Sequence, residues 1–230
     1  MTISLQGWNK YSIWDHSATV YDLYKKRCLK AVEEMTAHKQ AALLLRPLVH
    51  SKDTLLDVGC GGGYFFHVLQ NYNIPVTYYG LDASETIIEI GKKCMPQYNL
   101  PSDRLLHGRI EDLDGKVDHI VCINVLSNID NYHRPLERML KMAKKSLILR
   151  ESIAKTSSYL YVKDEFLDDG ADLNVYVNTY DEKEITKFID SYGFKSQFIT
   201  DEYTDGKSQK VIGYEHHWRF VVAEKIQEGA

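Results

Sequence analysis

Residues Thr54-Leu55-Leu56-Asp57-Val58-Gly59-Cys60-Gly61-Gly62-Gly63 decide how the rest of the chain is read. A short apolar run with an acidic residue inside it breaks into four glycines within five positions, and Tyr64 to Leu69 then reads as the start of a helix. Strand, tight turn and helix N-terminus, in that order, is where an open α/β sheet holds a nucleotide-like ligand. Glycine permits positive φ and lets a ligand approach with no Cβ in the way. The helix that follows offers free N–H groups and the positive end of its dipole.

Outward from this turn, strand and helix alternate. Val76 to Leu81 reads as a strand ending at Asp82, and Ser84 caps a helix through about Lys93 with Ile87, Ile88 and Ile90 turned inward. Arg104 to His107 is a short strand and Asp118 to Ile123 a strong apolar one. Pro135 fits the first turn of a helix running to about Lys144, and Ser146 to Leu149 is the next strand. Such alternation implies parallel strands with right-handed crossovers. Asp181 with Glu184 reads as a capping box for a helix ending at Gly193. Phe194 to Thr200 and Trp218 to Glu224 are two final strands, antiparallel to each other, with a turn at Asp205-Gly206. The expected fold is α/β: a Rossmann-like, seven-stranded, mostly parallel sheet with helices on both faces. Ser17 to about His50 shows helical spacing (Val20, Leu23, Tyr24, Cys28, Ala31, Val32), and Pro47 ends or bends it. Residues 1–50 therefore read as an N-terminal helical lid and 51–230 as the sheet domain. An insertion at about 153–178, after the fifth strand, is too long for an ordinary connection.

Composition narrows the class. The chain has 230 residues, which suits one α/β domain with modest additions. A net charge of -4 speaks against a dedicated nucleic-acid binder, which carries a basic face. No apolar run reaches the length of a membrane span, and no signal peptide is read at the N-terminus. Cys28, Cys60, Cys94 and Cys122 are scattered without CxxC spacing, as expected of reduced cysteines in a cytoplasmic protein without a zinc site. The 16 tyrosines are unusual, and either pack loops onto the core or line a pocket.

The glycine turn alone is open to NAD, FAD or S-adenosylmethionine (SAM). A dinucleotide fingerprint needs G-x-G-x-x-G, with its third glycine seating the helix on the strand. Here Tyr64 stands where that glycine belongs, and the pattern is Asp57-x-Gly59-x-Gly61-x-Gly63. Leu55 to Gly63 resembles the first motif of the class I SAM-dependent methyltransferases, and the resemblance extends over roughly residues 50 to 225. It implies SAM as cofactor, with S-adenosylhomocysteine (SAH) as product, and places Asp57, Gly59, Cys60 and Gly61 at the methionine side.

The other donor contacts follow from the same resemblance. Asp82 would accept both ribose hydroxyls, with Ala83 beside it; NAD enzymes use a carboxylate there too. In Gly108-Arg109-Ile110-Glu111-Asp112 the family binds adenine. Arg109 replaces the usual acidic residue, so the role passes to the Ile110 backbone and the Glu111 side chain, with Asp112 in reserve. Asn124 would lie beside the sulfonium and the methionyl amine. Ser127-Asn128 stands where relatives often have Glu-His, which removes a possible base. Ala18 to Tyr24 resembles an N-terminal helix of sugar N-methylating enzymes, which implies that Tyr21 closes over SAM.

On the acceptor side the residues say less. His216, His217 and His133 are the candidate bases, and of the adjacent pair His216-His217 at most one can reach a site, because neighbouring strand residues face opposite sides. Tyr11, Trp14, Glu151, Tyr161 and Tyr176 are the candidate substrate contacts. Asp164, Glu165, Asp168, Asp169 and Asp172 make the insertion acidic; they are a solvated loop or favour an amino substrate. The resemblance thus implies SAM-dependent methyl transfer to nitrogen or oxygen, and the near-neutral charge and lack of an apolar span favour a small-molecule acceptor with no nucleic-acid or membrane partner. A protein or tRNA methyltransferase, or a non-catalytic SAM-binding subunit, are the alternatives.

Overall fold

The structure is a computed structural model, and it describes residues 13–164 and 173–227. Its centre is a sheet built from β1 (Thr54–Val58), β2 (Thr77–Asp82), β3 (Leu105–His107), β4 (Val117–Ile123), β5 (Ala143–Ala154), β9 (Phe194–Thr200) and β12 (Trp218–Lys225). Their order across the sheet is β3-β2-β1-β4-β5-β12-β9. The pairs among β1 to β5 are parallel, and β12 is antiparallel to both β5 and β9. One short strand, β8 (Tyr180–Asp181), pairs with the end of β5 off this path. The expected seven-strand architecture and its antiparallel final strand are therefore present.

Alternation along the strands divides the core. Leu55, Val121, Ile148 and Phe220 face one side of the sheet; Leu56, Cys122, Leu149 and Val221 face the other. The first face is covered by α2 (Thr36–Leu45), α3 (Tyr64–Asn71) and α4 (Glu85–Cys94), and the second by α5 (His133–Met142) and α6 (Glu182–Asp190). Burying a large aliphatic side chain stabilises by about 1.5–3 kcal/mol, so these two layers fix the sheet.

Local signals set the helix ends. Ser84 Oγ accepts from Ile87 N and Ser17 Oγ from Val20 N, as caps at α4 and at α1 (Ala18–Cys28). Asp181 caps α6 by accepting from Lys183 N and Glu184 N. The reciprocal bond is relayed: Asp181 N donates to Ser157 Oγ, which donates to Glu184 Oε2.

Several boundaries differ from expectation. The helical stretch 17–50 is two helices, and the second, α2, is a core helix and not part of a lid: Ala41, Ala42 and Leu45 are fully buried against the sheet. Only the part up to Cys28 lies over the glycine turn. Helix α5 stops at Met142, because Ala143 already pairs with Val117 and begins β5. The insertion carries a hairpin of β6 (Tyr161–Lys163) and β7 (Asn174–Tyr176), and its acidic residues 165–172 lie outside the described residues. A further hairpin, β10 (Gln209–Val211) and β11 (Tyr214–His216), precedes β12. Its turn residues Ile212 and Gly213 have positive φ, at 45° and 87°, and an isoleucine there gives no turn signal.

Candidate active site

The glycine turn lies at the carboxyl edge of the sheet, between β1 and α3. Gly59 N and Cys60 N both donate to Leu81 O, which ties the turn to β2. Gly61 N donates to Asp82 Oδ2 at 2.8 Å, and Ser84 N donates to Asp82 Oδ1 at 2.9 Å. Asp82 thus holds the turn before any ligand is considered. Burial raises its pKa against these two bonds, and the neighbouring Asp15 charge adds to the rise. Gly59 and Gly61 have φ of 74° and 55°; a Cβ would meet Val125 Cγ2 at 2.1 Å and Tyr24 Cε1 at 2.3 Å respectively. Asp57 is buried beneath the turn and accepts from the Tyr78 hydroxyl at 2.7 Å. Burial pushes its pKa up to about 7, Tyr78 opposes this, and Asp82 adds to it. The Cys60 thiol is buried in the turn, and burial pushes its pKa up as well.

The next strand ends follow in order. Ala83 is half-buried between Asp82 and the α4 cap. Ile110 is buried at the start of a short 3₁₀ turn, and the Glu111 carboxylate accepts from Arg109 Nη2 at 2.9 Å, so the unexpected arginine is the partner of the proposed adenine-binding carboxylate. Asn124 sits after β4 with φ 58°. Its N–H donates to Arg150 O, its carbonyl accepts from Asn128 Nδ2, and its Oδ1 accepts from Arg150 Nη1 at 2.7 Å.

A roof comes from three separate segments. Trp14, on the helical turn Ile13–His16, packs with Val162, Leu173, Val175 and Val177 of the insertion and Ile212 of the β10–β11 turn. Tyr24 meets Trp14 edge-on at 6.3 Å, lies against Gly61, and carries the Arg27 guanidinium 4.9 Å from its ring centre. Asp15 Oδ1 accepts from Ser84 Oγ, while Asp15 Oδ2 is buried with no hydrogen-bond partner among the described residues. Tyr21, the residue expected to close over the donor, is 44% exposed; one helical turn on, Tyr24 takes its place on the glycine turn. Tyr11 lies outside the described residues.

Acceptor-side expectations divide sharply. Glu151 is 1% exposed, and its carboxylate accepts from Val125 N, Leu126 N, Ser127 N and Ser127 Oγ. These four bonds tie its carboxylate to the loop after β4. His133 is exposed at the start of α5, bonded to Asn131 and stacked on Tyr132, on the face of the sheet away from α1 and α2. Tyr161 and Tyr176 stack on each other at 4.5 Å on the insertion hairpin, with Tyr161 55% exposed. His217 points outward, whereas His216 is buried and stacks on Trp218. Arg150, not singled out from the sequence, joins the two regions: it bonds Asn124, pairs with Asp201 and lies 4.6 Å from the Trp218 ring centre. Asp15, Tyr24 and Val125 were missed too, since only the fold brings them to the turn.

At the opposite edge His119 lies between Asp53 Oδ2 (3.0 Å) and Ser146 Oγ (2.7 Å). Ser146 is 1% exposed, so this series braces β1, β4 and β5. No helix among the described residues is long and apolar enough to cross a membrane. Among them, no group of three or more His, Cys, Asp or Glu side chains is placed to hold a metal ion.

Residues 56–147 match the family model described as a methyltransferase domain. The chain is 41% identical over 81 residues to an uncharacterized protein of Rickettsia prowazekii, covering 32% of this chain and 30% of that one. It is 30% identical over 115 residues to a ubiquinone biosynthesis O-methyltransferase of Rickettsia akari, covering 49% of this chain and 42% of that one. The matched segment thus spans less than half the length of either relative. Among solved structures, the SAH-bound magnesium protoporphyrin IX methyltransferase of Synechocystis superposes with a TM-score of 0.60 at 17% identity, over 96% of this chain and 99% of that one. That likeness shows the fold, an α/β Rossmann-like methyltransferase fold.

Proposed function

We propose that this chain, whose residues 56–147 match the methyltransferase-domain model, is a SAM-dependent enzyme that methylates nitrogen or oxygen of a small molecule. The observation that carries the reading is Asp82: a half-buried carboxylate, fixed by Gly61 N and Ser84 N, at the end of the strand next to the glycine turn. Each of its oxygens keeps lone-pair capacity for a ribose hydroxyl. Asp15 Oδ2 beside Ser84, buried and without a partner among the described residues, is a second carboxylate oxygen close to the same place. The glycine turn would hold the methionyl end beside Val125 and Tyr24, which lie against Gly59 and Gly61, and Ile110 and Glu111 suit the adenine.

SAM would supply an electrophilic methyl group, so the acceptor's lone pair forms the new bond as the carbon–sulfur bond breaks with its electron pair left on the sulfur of SAH, and a hydroxyl or N–H acceptor gives up its proton to solvent. The chain's part is to align acceptor and methyl and to keep water out, and alignment alone contributes much of the rate. Asn124, held by Arg150 and Asn128, would place its carbonyl beside the reacting end. The roof of Trp14, Val175, Val177 and Ile212 would exclude water. The similarity to an O-methyltransferase supports oxygen as the accepting atom.

Isothermal titration tests the reading. SAH should bind and NADH should not; tight NADH binding with none for SAH overturns it. Asp82→Ala should weaken SAH binding by about 2 kcal/mol, roughly 30-fold in the dissociation constant, through the loss of charge-assisted bonds, and an unchanged affinity puts the ribose elsewhere.

A further inference from the structure

The last turn of α1 carries three cations, Lys25, Lys26 and Arg27. The two lysines are exposed, and Lys26 pairs with Asp22 one turn back. Arg27 is half-buried, and its guanidinium carbon lies 4.9 Å from the centre of the Tyr24 ring. Tyr24 in turn lies against Gly61, so Arg27 stands one ring beyond the glycine turn. Burial raises the Tyr24 pKa, the Arg27 charge opposes the rise and the Asp82 charge adds to it. The phenol is therefore within electrostatic reach of both. Among the described residues Arg27 has no carboxylate within ion-pair distance, whereas Arg109, after β3, is paired with Glu111, and Arg150, in β5, with Asp201. Taking a charge partly out of water is costly unless it is paired, and a cation held against a ring beside a ligand site, with no counter-ion, points to an anion on the ligand.

We propose that Arg27 takes the α-carboxylate of the donor's methionyl group, and so selects a donor that carries one. This rests on the methyltransferase reading above. SAM and SAH each have a single carboxylate, at the methionyl end, which lies at the glycine turn in that reading. The protein carboxylates there, Asp82 and Asp15, both accept from Ser84. They suit hydroxyls and an ammonium and repel another anion, so the donor's carboxylate needs a cation from a separate segment. A guanidinium offers five N–H donors in a planar fork that matches a carboxylate with two parallel bonds. Contact with Tyr24 leaves enough of those donors for such a pair, and an aromatic face is a surface on which a guanidinium is readily held. Tyr24 then orients Arg27 across the turn, while Arg27 itself touches the ligand.

The test is isothermal titration of the full chain with SAH and with decarboxylated SAH, which keeps the ammonium and lacks only the carboxylate. Arg27→Gln should weaken SAH binding by about 10- to 30-fold, the loss of a charge-assisted pair, and leave decarboxylated SAH within about twofold of the wild type. Arg27→Met, which has no N–H to offer, is the second variant and should show the same split; circular dichroism checks that each is folded. Undiminished SAH binding in the folded variants, or equal losses with both ligands, overturns the proposal, because Arg27 would then do no more than brace Tyr24. Wild-type affinities for the two ligands that agree within about twofold overturn it as well, since no carboxylate is then being read. Failure of the wild type to bind either ligand defeats the underlying reading, whereas SAH binding without the split defeats only this one.

Discussion

Arg150 and Asp201 form an ion pair from which water is excluded: Nε and Oδ1 are 2.6 Å apart, at 3% and 0% exposure. Asp201 Oδ2 also accepts from Thr204 N and Oγ1, and Arg150 Nη1 donates to Asn124 Oδ1. The pair thus connects the end of β9 to the loop after β4, where the reacting end of the donor is proposed to lie. Removing one member of a buried pair strands the other charge and costs about 3–5 kcal/mol. Arg150→Met should lower stability by about that much in urea unfolding. The double variant Arg150→Met/Asp201→Asn should recover most of the loss, since the amide oxygen introduced beside Thr204 would still accept from its N–H. Equal losses in single and double variants would show that packing of the Arg150 stem, and not charge, is what matters.

Asp57 makes stability fall with rising pH. Its pKa is raised to about 7 in the folded chain, from an ordinary value of 3.8. The folded state therefore binds a proton that the unfolded state has released between these limits. Its contribution is fully present below about pH 4 and is lost as pH rises through about 7. Asp57→Asn removes the titration and keeps an acceptor for the Tyr78 hydroxyl. In the ligand-free protein the variant should gain on the wild type by about 2–4 kcal/mol between pH 5 and pH 8. Parallel stability curves over that range would mean that Asp57 is ionised at little cost.

The sheet and its order of motifs were readable because periodicity and caps are local. Leu55 to Val58, Asp118 to Ile123 and the Ser84 cap carry their own signals, and the structure follows them within a residue or so. What the sequence hid depends on distant packing. Arg150 reads as an interruption of an apolar strand until Asp201 and Asn124 are brought beside it. Glu151 reads as a carboxylate at a strand end, and only the loop's three N–H groups show where it points. Tyr21 and Tyr24 share one helix, and a shift of three residues decides which ring meets Gly61; periodicity does not fix that rotation.

Gly61 carries a double constraint, a positive φ and a ring laid against its α-carbon. A Cβ there would stand 2.3 Å from Tyr24 Cε1 at φ 55°. Gly61→Ala should destabilise by about 1–3 kcal/mol through backbone strain. It should also displace Tyr24, visible as faster hydrogen exchange across residues 18–28. Wild-type exchange in a folded variant would place the Tyr24 ring elsewhere in solution.

Tyr24 and Tyr21 separate the two versions of the lid. If Tyr24 is the aromatic that closes over the donor, Tyr24→Ala should raise the SAH dissociation constant about tenfold, equivalent to about 1.4 kcal/mol. Tyr21→Ala should leave it within about twofold, because a ring 44% exposed on α1 loses little on truncation. Titration calorimetry on both variants measures this directly. Tighter SAH binding by Tyr24→Ala would reverse the assignment, making the ring on Gly61 a plug that the ligand must displace.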